Sequence, residues 1–391
     1  MNKLLLPFRQ GKLLNTIFLS TVFISFHYAL IIYINSSYLS NFFSDTQISA
    51  LYIIGSIVDT ICLLNASKVI ERIGIYKFTV YSIIIELLAA AGLAVSTTAF
   101  TSGLFFLIHL VTISLILFNM DMFVEDVTMN HSLTGSIRAT YLTVTNITIV
   151  LAPSLVALLL YKNSFSYVYI VSALFLIPLY FIIGRLKTIK TPDVKHINIR
   201  QTLAEYIKNK DLYNIFTSQF LLQLFYAFMV IYTPLYLNQF IHFSWTEIGI
   251  MFTIMLLPFI FIELPVGELA DNRYGEKEFL TIGFIIMGLS TIFMSFVTIK
   301  VFWIWATILF ITRIGASFVE ISTETYFFKQ VNSEKTDIIS FFRIGRPVSF
   351  VMAPLLASLT LQFIPFQYIF IVIGSIMIIG THYSLALNDT K

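Results

Sequence analysis

Charged side chains are scarce in this sequence: Asp, Glu, Lys and Arg make up 12% of its 391 residues, against roughly 25% in soluble domains. Most of the surface therefore cannot face water. Cys62 is the one cysteine, so an intramolecular disulfide is excluded and no redox framework is expected. An acidic or basic tail of the kind that binds nucleic acid is also missing.

Catalytic motifs are missing as well. The sequence has no His-Glu-x-x-His, no Gly-x-Ser-x-Gly and no Walker loop, so neither a hydrolase nor an ATP-driven pump is supported. We expect a protein that is not an enzyme and that holds no cofactor and no metal.

Apolar sequence is what this chain has in abundance. Hydrophobic residues make up 58% of it, and about 20 of them in a row span a bilayer as a helix. Lys3, Arg9 and Lys12 precede the first apolar run, but a small-residue cleavage site is missing, so we expect an uncleaved helix there. Twelve crossings are predicted, near 14–36, 48–69, 78–97, 101–124, 139–161, 165–185, 213–238, 246–266, 279–298, 301–325, 340–361 and 366–386.

The second half of the chain repeats the first. The sequence YALIIYINSSYLSNF at 28–42 recurs as YAFMVIYTPLYLNQF at 226–240, and Ala152-Pro153 recurs as Ala353-Pro354. Duplicated membrane bundles are usual in secondary transporters. The sequence therefore predicts an all-α membrane protein with twelve transmembrane helices in two pseudo-symmetric six-helix bundles, 1–186 and 213–391, joined by a cytoplasmic linker at 187–212.

The basic residues predict the orientation. Most of the 24 Lys and Arg lie at the termini and in the loops on the same side, whereas the opposite loops hold only Lys162 and Lys300. Because cytoplasmic loops are enriched in Lys and Arg, both termini are expected in the cytoplasm. We expect a multi-pass protein of the cytoplasmic (inner) membrane.

One loop contains a motif that resembles that of a known family. The segment FIELPVGELADNRYGEKEF at 261–279 resembles the Gly-x-x-x-Asp-Arg-x-Gly motif of the major facilitator superfamily, with Gly267, Asp271 and Arg273 in recognisable positions. It departs from the pattern because three residues, not two, separate Asp271 from Gly275. A weaker copy, SKVIERIGIYK, stands at 67–77 in the first half.

In the resembled family this loop is a latch that holds one access state. The resemblance therefore implies gating roles for Glu71, Arg72, Gly267, Asp271, Arg273 and Lys277. An acid in the latch can meet the positive N-terminal end of a facing helix. For Arg273 and Lys277, simple enforcement of the positive-inside rule is the alternative.

Two polar stripes share one spacing at equivalent positions of the repeat. The first crossing has Thr21, Ser25 and Tyr28, and the seventh has Gln219, Gln223 and Tyr226. We expect these residues to face one central cavity. Ser25, Tyr28, Gln219, Gln223 and Tyr226 are the predicted substrate-binding residues, and hydrogen bonding between helices without substrate contact is the alternative.

Charged residues inside crossings are costly and indicate function. The predicted gating residues are Asp121 and Glu125 on the fourth crossing, Glu320 and Glu324 on the tenth, and Arg343 and Arg346 on the eleventh. They form either a static cluster of ion pairs or a gate whose pairs exchange between access states.

Arg313 lies deeper in the tenth crossing. It either binds an anionic group of the substrate or neutralises an acid, for which Asp59 and Glu86 are the candidates. Asp59, His27 and His109 are the predicted proton-coupling residues, because a mid-membrane acid and histidines near their ordinary titration range can exchange protons. A packed, hydrogen-bonded histidine is the alternative for His27 and His109, and a structural hydrogen bond is the expected role of Glu86.

The sequence is thus interpreted as a transporter that moves a small solute by alternating access, with proton coupling favoured over uniport. The expected partners are a small-molecule substrate, protons and the lipid bilayer; nucleic acid is not expected, and the protein is expected to be a monomer. The competing class is a non-transporting sensor or lipid-handling protein that kept the fold.

Overall fold

The computed structural model describes residues 11–128, 134–160, 164–187, 206–270, 274–330 and 336–388, and these residues form helices without any strand. The first half has six long helices: α1 Lys12–Ile32, α2 Asp45–Ile73, α3 Ile75–Val95, α4 Ala99–Thr128, α5 Thr134–Leu159 and α6 Phe165–Ile183. The second half has α7 Lys210–Leu235, α8 Trp245–Leu256, α9 Glu276–Met294, α10 Phe302–Gln330, α11 Thr336–Leu361 and α12 Ile369–Leu385. Two short helices, Pro258–Phe261 and Glu263–Leu269, continue α8.

These helices fit a bilayer. Among the described residues, 11 helices are long and apolar enough to cross a membrane, and a shorter apolar segment, Thr143–Leu159, lies in α5. The predicted all-α membrane fold is confirmed. The outward side chains are apolar too: Leu88 is 62% exposed and Phe181 71%, which suits a surface that faces lipid.

The chain divides into two compact units, Met1–Val194 and Lys195–Lys391, and the division falls inside the predicted linker. Inside the first unit the strongest packing joins α1 to α5 and α6, α3 to α4 and α6, and α2 to α4. Inside the second unit it joins α7 to α11 and α12, α9 to α10 and α12, and α8 to α10. Each pair recurs six helices later, so the repeat seen in the sequence is also a repeat of helix packing.

Two glycines of the loop motif start equivalent helices. Gly74 precedes α3 with φ 84°, and Gly275 precedes α9 with φ 87°. This backbone conformation is disfavoured for residues with a Cβ, which explains why glycine stands at both positions.

Glycine also lets α9 and α10 approach each other closely. A Cβ on Gly315 would lie 2.5 Å from the backbone nitrogen of Met287 and 2.7 Å from the carbonyl oxygen of Gly283. Small residues at such crossings allow the van der Waals packing on which membrane helices depend. Both neighbouring atoms are backbone, so only a shift of a whole helix would relieve the contact.

We expect Gly315→Ala to lower the free energy of unfolding by about 1–3 kcal/mol, because overpacking forces the helices apart. Gly345→Ala is the matched control, since nothing lies within 4 Å of a Cβ there and alanine favours a helix over glycine by about 1 kcal/mol. Thermal unfolding of the purified protein in one detergent measures both. Equal losses would contradict the close contact of α9 and α10.

Candidate functional site

The second unit has a polar site between α7 and α10. Arg313 of α10 is 2% exposed, and its guanidinium carbon lies 5.3 Å from the ring centre of Phe225 and 5.4 Å from that of Tyr226, both on α7. These distances are typical of cation–π contacts, which strengthen when the cation leaves water. The two rings therefore hold the guanidinium in place without using its hydrogen-bond donors.

Those donors are the unusual feature of the site. Nε and Nη1 of Arg313 are buried and have no hydrogen-bond partner among the residues that the structure describes. Buried polar groups nearly always have partners, and a charged donor left without one costs several kcal/mol. A planar guanidinium with free donors fits an acceptor group that arrives from outside the chain, such as a carboxylate.

A carboxylate already stands beside it. Tyr226 donates its hydroxyl proton to Oε2 of Glu320 at 2.6 Å, and Glu320 interacts electrostatically with Arg313, Arg346 and Glu324. Tyr226 thus touches both the cation through its ring and the anion through its hydroxyl. The structure brings together two predicted substrate residues, Tyr226 and Arg313, and one predicted gating residue, Glu320.

The other polar residues of this region lie nearby on the same two helices. Oε1 of Gln219, on α7, accepts a hydrogen bond from Thr323 of α10 at 2.9 Å. Gln223 is half-buried one turn further along α7. The bond of Gln219 is the interhelical hydrogen bond that the sequence left as an alternative. Substrate contact by Gln219 and Gln223 remains a prediction.

The equivalent polar stripe of the first unit lies on α1. Thr21 donates to the carbonyl oxygen of Ile17 at 2.9 Å on its own helix. Ser25 is 3% exposed, and Tyr28 is half-buried against the apolar core of this unit. Substrate binding by Ser25 and Tyr28 remains a prediction.

The first unit instead contains a buried cluster of three ionisable side chains. Oε1 of Glu86, on α3, lies 2.7 Å from Nε2 of His27 on α1 and 2.6 Å from Nδ1 of His109 on α4. All three are at most 2% exposed, and Thr112 of α4 donates to Oε2 of Glu86. Two imidazole groups and one hydroxyl group contact this carboxylate, as a buried charge requires.

Both oxygens of Glu86 have partners within the first unit. The hydrogen-bonding role expected for Glu86 agrees with the contacts. Sequence reasoning treated His27 and His109 singly and missed that they share one acid. The sequence contained a signal for this cluster. An ionisable residue inside the membrane needs a partner, and His27, Glu86 and His109 all lie in predicted crossings of the first half.

The cluster also has the residue types of a metal site. Ligand-type atoms of His27, Glu86 and His109 lie within 4.8 Å of one another. A metal needs both imidazole nitrogens that face Glu86 to be unprotonated. The surrounding hydrogen bonds place a proton on Nδ1 of His109, because Asn35 Nδ2 faces the other ring nitrogen at 3.4 Å and an amide nitrogen only donates. With this assignment Nδ1 of His109 carries a proton, which a metal would have to displace.

Asp59, the third predicted proton-coupling residue, is 8% exposed on α2 and lies near Cys62, one turn further along that helix. A carboxyl group at this depth in a helix that spans the membrane agrees with the reason for choosing it, and its role stays a prediction.

The predicted gating residues are placed as follows. Glu71 and Arg72 are exposed at the end of α2, Asp121 and Glu324 are half-buried, and Arg346 is exposed. Glu125 lies in α4 and Arg343 in α11, but their side chains, like the whole of Asp271 and Arg273, lie outside the described part of the chain. A Cβ on Gly267 would touch Ile321 of α10 at 3.5 Å.

Lys277 takes part in contacts at one end of the second unit. Its Nζ donates to the carbonyl oxygen of Leu387 at 3.0 Å, after the end of α12. The neighbouring Glu276 is paired with Lys329 of α10. These contacts tie the ends of α9, α10 and α12 together inside one unit, and they give Lys277 a structural role besides the predicted gating.

The second unit also has a groove on its outer surface. It has a volume of about 770 Å³ and lies between α9 and α10, with Phe293, Trp303 and Ile304 in its lining. Trp303 is 69% exposed and Phe293 55%, so the groove belongs to the apolar outer surface. It offers no charged group to a polar solute.

Two repeated units of six helices, with charged side chains buried inside, define a multi-pass membrane protein. Residues 215–388 match the family model of the Major Facilitator Superfamily. The resemblance to that superfamily predicted from the loop motif is confirmed. Its sequence pattern occupies the second half of the chain.

Solved structures extend the likeness to the first half. The nucleoside transporter NupG superposes with a TM-score of 0.75 at 13% identity, over 96% of this chain and 99% of that chain. A structure from work on proton dependent oligopeptide transporters superposes with a TM-score of 0.73 at 12% identity, over 96% of this chain and 98% of that one. At these identities the shared property is the fold. No curated protein sequence matches the chain significantly.

Proposed function

We propose that this protein is a secondary active transporter that moves a small solute with an anionic group across the cytoplasmic membrane by alternating access. The observation that supports it is Arg313, a buried guanidinium held by two aromatic rings with two donors left without partners in the described structure. A buried charged group whose donors lack partners does not stabilise the fold, so solute binding explains Arg313 better than a structural role does. The major facilitator fold supports transport as the purpose of that binding.

The chemistry of the site limits the class of solute that it can bind. A carboxylate is a strong acceptor for the charged donors of a guanidinium, because such charge-assisted hydrogen bonds are about twice as strong as neutral ones. Phe225 and Tyr226 contact the guanidinium through their rings, so they do not occupy its hydrogen-bond donors. The negative charge of Glu320 nearby disfavours a second anionic group on the solute. A monocarboxylate, including the terminal carboxylate of a short peptide, fits better than an uncharged nucleoside.

Glu320 provides a route to proton coupling. When ionised, it offsets the charge of Arg313 and competes with the solute for it. When protonated, it leaves Arg313 as an uncompensated cation, which binds an anion more strongly. Solute and proton would therefore bind together, as symport requires. Asp59, His27 and His109 are further proposed proton carriers in the first unit.

The remaining assignments follow the sequence. Both termini are proposed to be cytoplasmic, and the loop residues Glu71, Arg72, Gly267, Asp271, Arg273 and Lys277 are proposed to stabilise one access state. Asp121, Glu125, Glu324, Arg343 and Arg346 are proposed gating charges. The protein is proposed to act as a monomer with protons and one small molecule as its partners.

Proteoliposomes test the proposal. The purified protein is screened by thermal shift with monocarboxylates, dipeptides and nucleosides, since a ligand that binds only the folded state raises its stability by mass action. Compounds that stabilise it are then tested for counterflow. We expect a carboxylate-containing compound to stabilise the protein and to exchange across the membrane. Binding without any flux would instead indicate a sensor, and stabilisation only by lipids would indicate a lipid-handling protein.

A further inference from the structure

The donor and the acceptor of each hydrogen bond on the His109 side of Glu86 can be assigned from the neighbouring residues. Tyr169 of α6 donates its hydroxyl proton to Oδ1 of Asn35 at 2.8 Å, so Nδ2 of Asn35 faces Nε2 of His109 at 3.4 Å. An amide nitrogen only donates, and Nε2 of His109 must therefore accept. The proton of His109 is then on Nδ1, which donates to Oε1 of Glu86 at 2.6 Å. With these assignments His109 acts in this site as a hydrogen-bond partner of Glu86, which narrows the proton-carrying role proposed for it to one of positioning.

The hydrogen bonds on the His27 side of Glu86 can be assigned in the same way. Ser172 of α6 donates its hydroxyl proton to the carbonyl oxygen of His27 at 3.0 Å. Nδ1 of His27, 2.7 Å from Oγ and 3.1 Å from the carbonyl oxygen of the same serine, must then be a donor. The hydroxyl of Thr112 lies within reach of Oε2 of Glu86 and of the carbonyl oxygen of Ile108, and we assign its one proton to the carboxylate. With these assignments, one proton of the cluster is left to place.

The remaining proton lies between Nε2 of His27 and Oε1 of Glu86, which are 2.7 Å apart. With it, the cluster is neutral, either as imidazolium with carboxylate or as imidazole with carboxylic acid. Without it, one uncompensated negative charge is left on a side chain that is 0% exposed, which is strongly unfavourable. We infer that His27 and Glu86 form a buried binding site for a single proton, and that His109, Thr112 and Ser172 are its fixed hydrogen-bond partners.

The neighbouring elements bring few other titratable groups. Tyr169 of α6 and Tyr38, from the short helix Asn35–Leu39, have rings 4.9 Å apart at the Asn35 side of the cluster. Tyr38 donates to the carbonyl oxygen of Leu93. Tyr52 and Asp59 lie on α2 of the same unit, and Asp121 lies on α4.

Four separate helical elements meet at this site: α1, α3, α4 and α6. Loss of its proton therefore weakens the contact of all four at once, and movement of one helix changes how well the proton is held. Proton binding itself requires no solute. A role of this site in energising transport rests on the proposed function.

Infrared difference spectroscopy of the purified full-length protein, between alkaline and acidic buffer, tests the inference without any substrate. We expect wild type to show carboxyl and imidazole bands that change with pH and that are absent from Glu86→Gln. Glutamine keeps an acceptor for His109 and the shape of the side chain, so this variant should fold. A wild-type spectrum without these changes would show a static cluster and overturn the inference.

Two histidine variants provide a sharper comparison. His27→Gln keeps a donor near Nε2 but removes the base, and we expect it to lose the pH-dependent bands. His109→Asn keeps a donor near Nδ1, and we expect it to retain them. Equal loss in both variants, with unchanged elution in size-exclusion chromatography, would contradict the assigned directions. Stoichiometric zinc in the purified wild type, absent from Glu86→Gln, would establish a metal site instead.

Because this test uses no solute, its outcome is independent of the transport assay. Failure of counterflow with intact pH-dependent bands would reject the proposed transport but not the proton site. Counterflow without the bands would reject only the proton site.

Discussion

Arg313→Gln is expected to abolish transport of a carboxylate solute while leaving the protein folded. The side chain is buried, and two of its donors have no partner in the described structure, so the bound solute would complete its hydrogen bonds. Removing one member of a buried, hydrogen-bonded charge pair costs about 2–5 kcal/mol. Since about 1.4 kcal/mol is a factor of ten, solute affinity should fall by roughly 30-fold to several thousand-fold. Isothermal titration of the purified variant, followed by counterflow, measures the loss.

Two variants separate this effect from a general loss of positive charge. Arg313→Lys keeps the charge but loses the planar pair of donors, and we expect it to recover only part of the affinity. Arg185→Gln removes an exposed cation at the end of the first unit and should bind solute as wild type does. Size-exclusion chromatography should show that Arg313→Gln is folded, and its thermal stability reports the loss of the positive charge beside Glu320. Unchanged solute affinity in Arg313→Gln would reject this site.

The helices of this fold could be predicted because their signal is local. A run of apolar residues of sufficient length identifies a crossing whatever surrounds it, and the two halves repeat each other closely enough for the bundles to be counted. The repeated loop glycines also have a local cause, since the positive φ at Gly74 and Gly275 depends on the turn alone. These features needed no knowledge of how the helices pack.

The partners of the buried charges could not be predicted in the same way. Helical spacing relates Arg313, Glu320 and Glu324 on one helix, but it says nothing about which side chain on α7 faces them. That depends on the rotation and separation of helices, which many apolar contacts set together. Tyr226 was singled out for its stripe, yet its bond to Glu320 and its ring contact with Arg313 follow from the packing of α7 on α10. The partners of Glu86 likewise follow from packing, since His27 and His109 lie on two other helices.

Glu320→Gln is expected to uncouple transport from protons while preserving exchange of the solute. Glutamine still accepts the hydrogen bond from Tyr226, so the arrangement of α7 and α10 should survive. It can no longer take up a proton or offset Arg313, and the solute should therefore bind at least as tightly as to wild type. A carrier coupled to one proton accumulates its solute about tenfold for each pH unit of gradient, because each unit supplies about 1.4 kcal/mol.

Accumulation of the solute in proteoliposomes with and without a pH gradient tests this prediction. Wild type should accumulate the solute when the gradient is present, and Glu320→Gln should only equilibrate it, with counterflow close to the wild-type rate. Glu247→Gln is the matched control: Glu247 caps the start of α8 together with Ser244, glutamine can fill the same capping role, and accumulation should persist. Full accumulation by Glu320→Gln would exclude this carboxylate as the coupling group and leave Asp59 and the His27–Glu86 site as the proposed carriers of the proton.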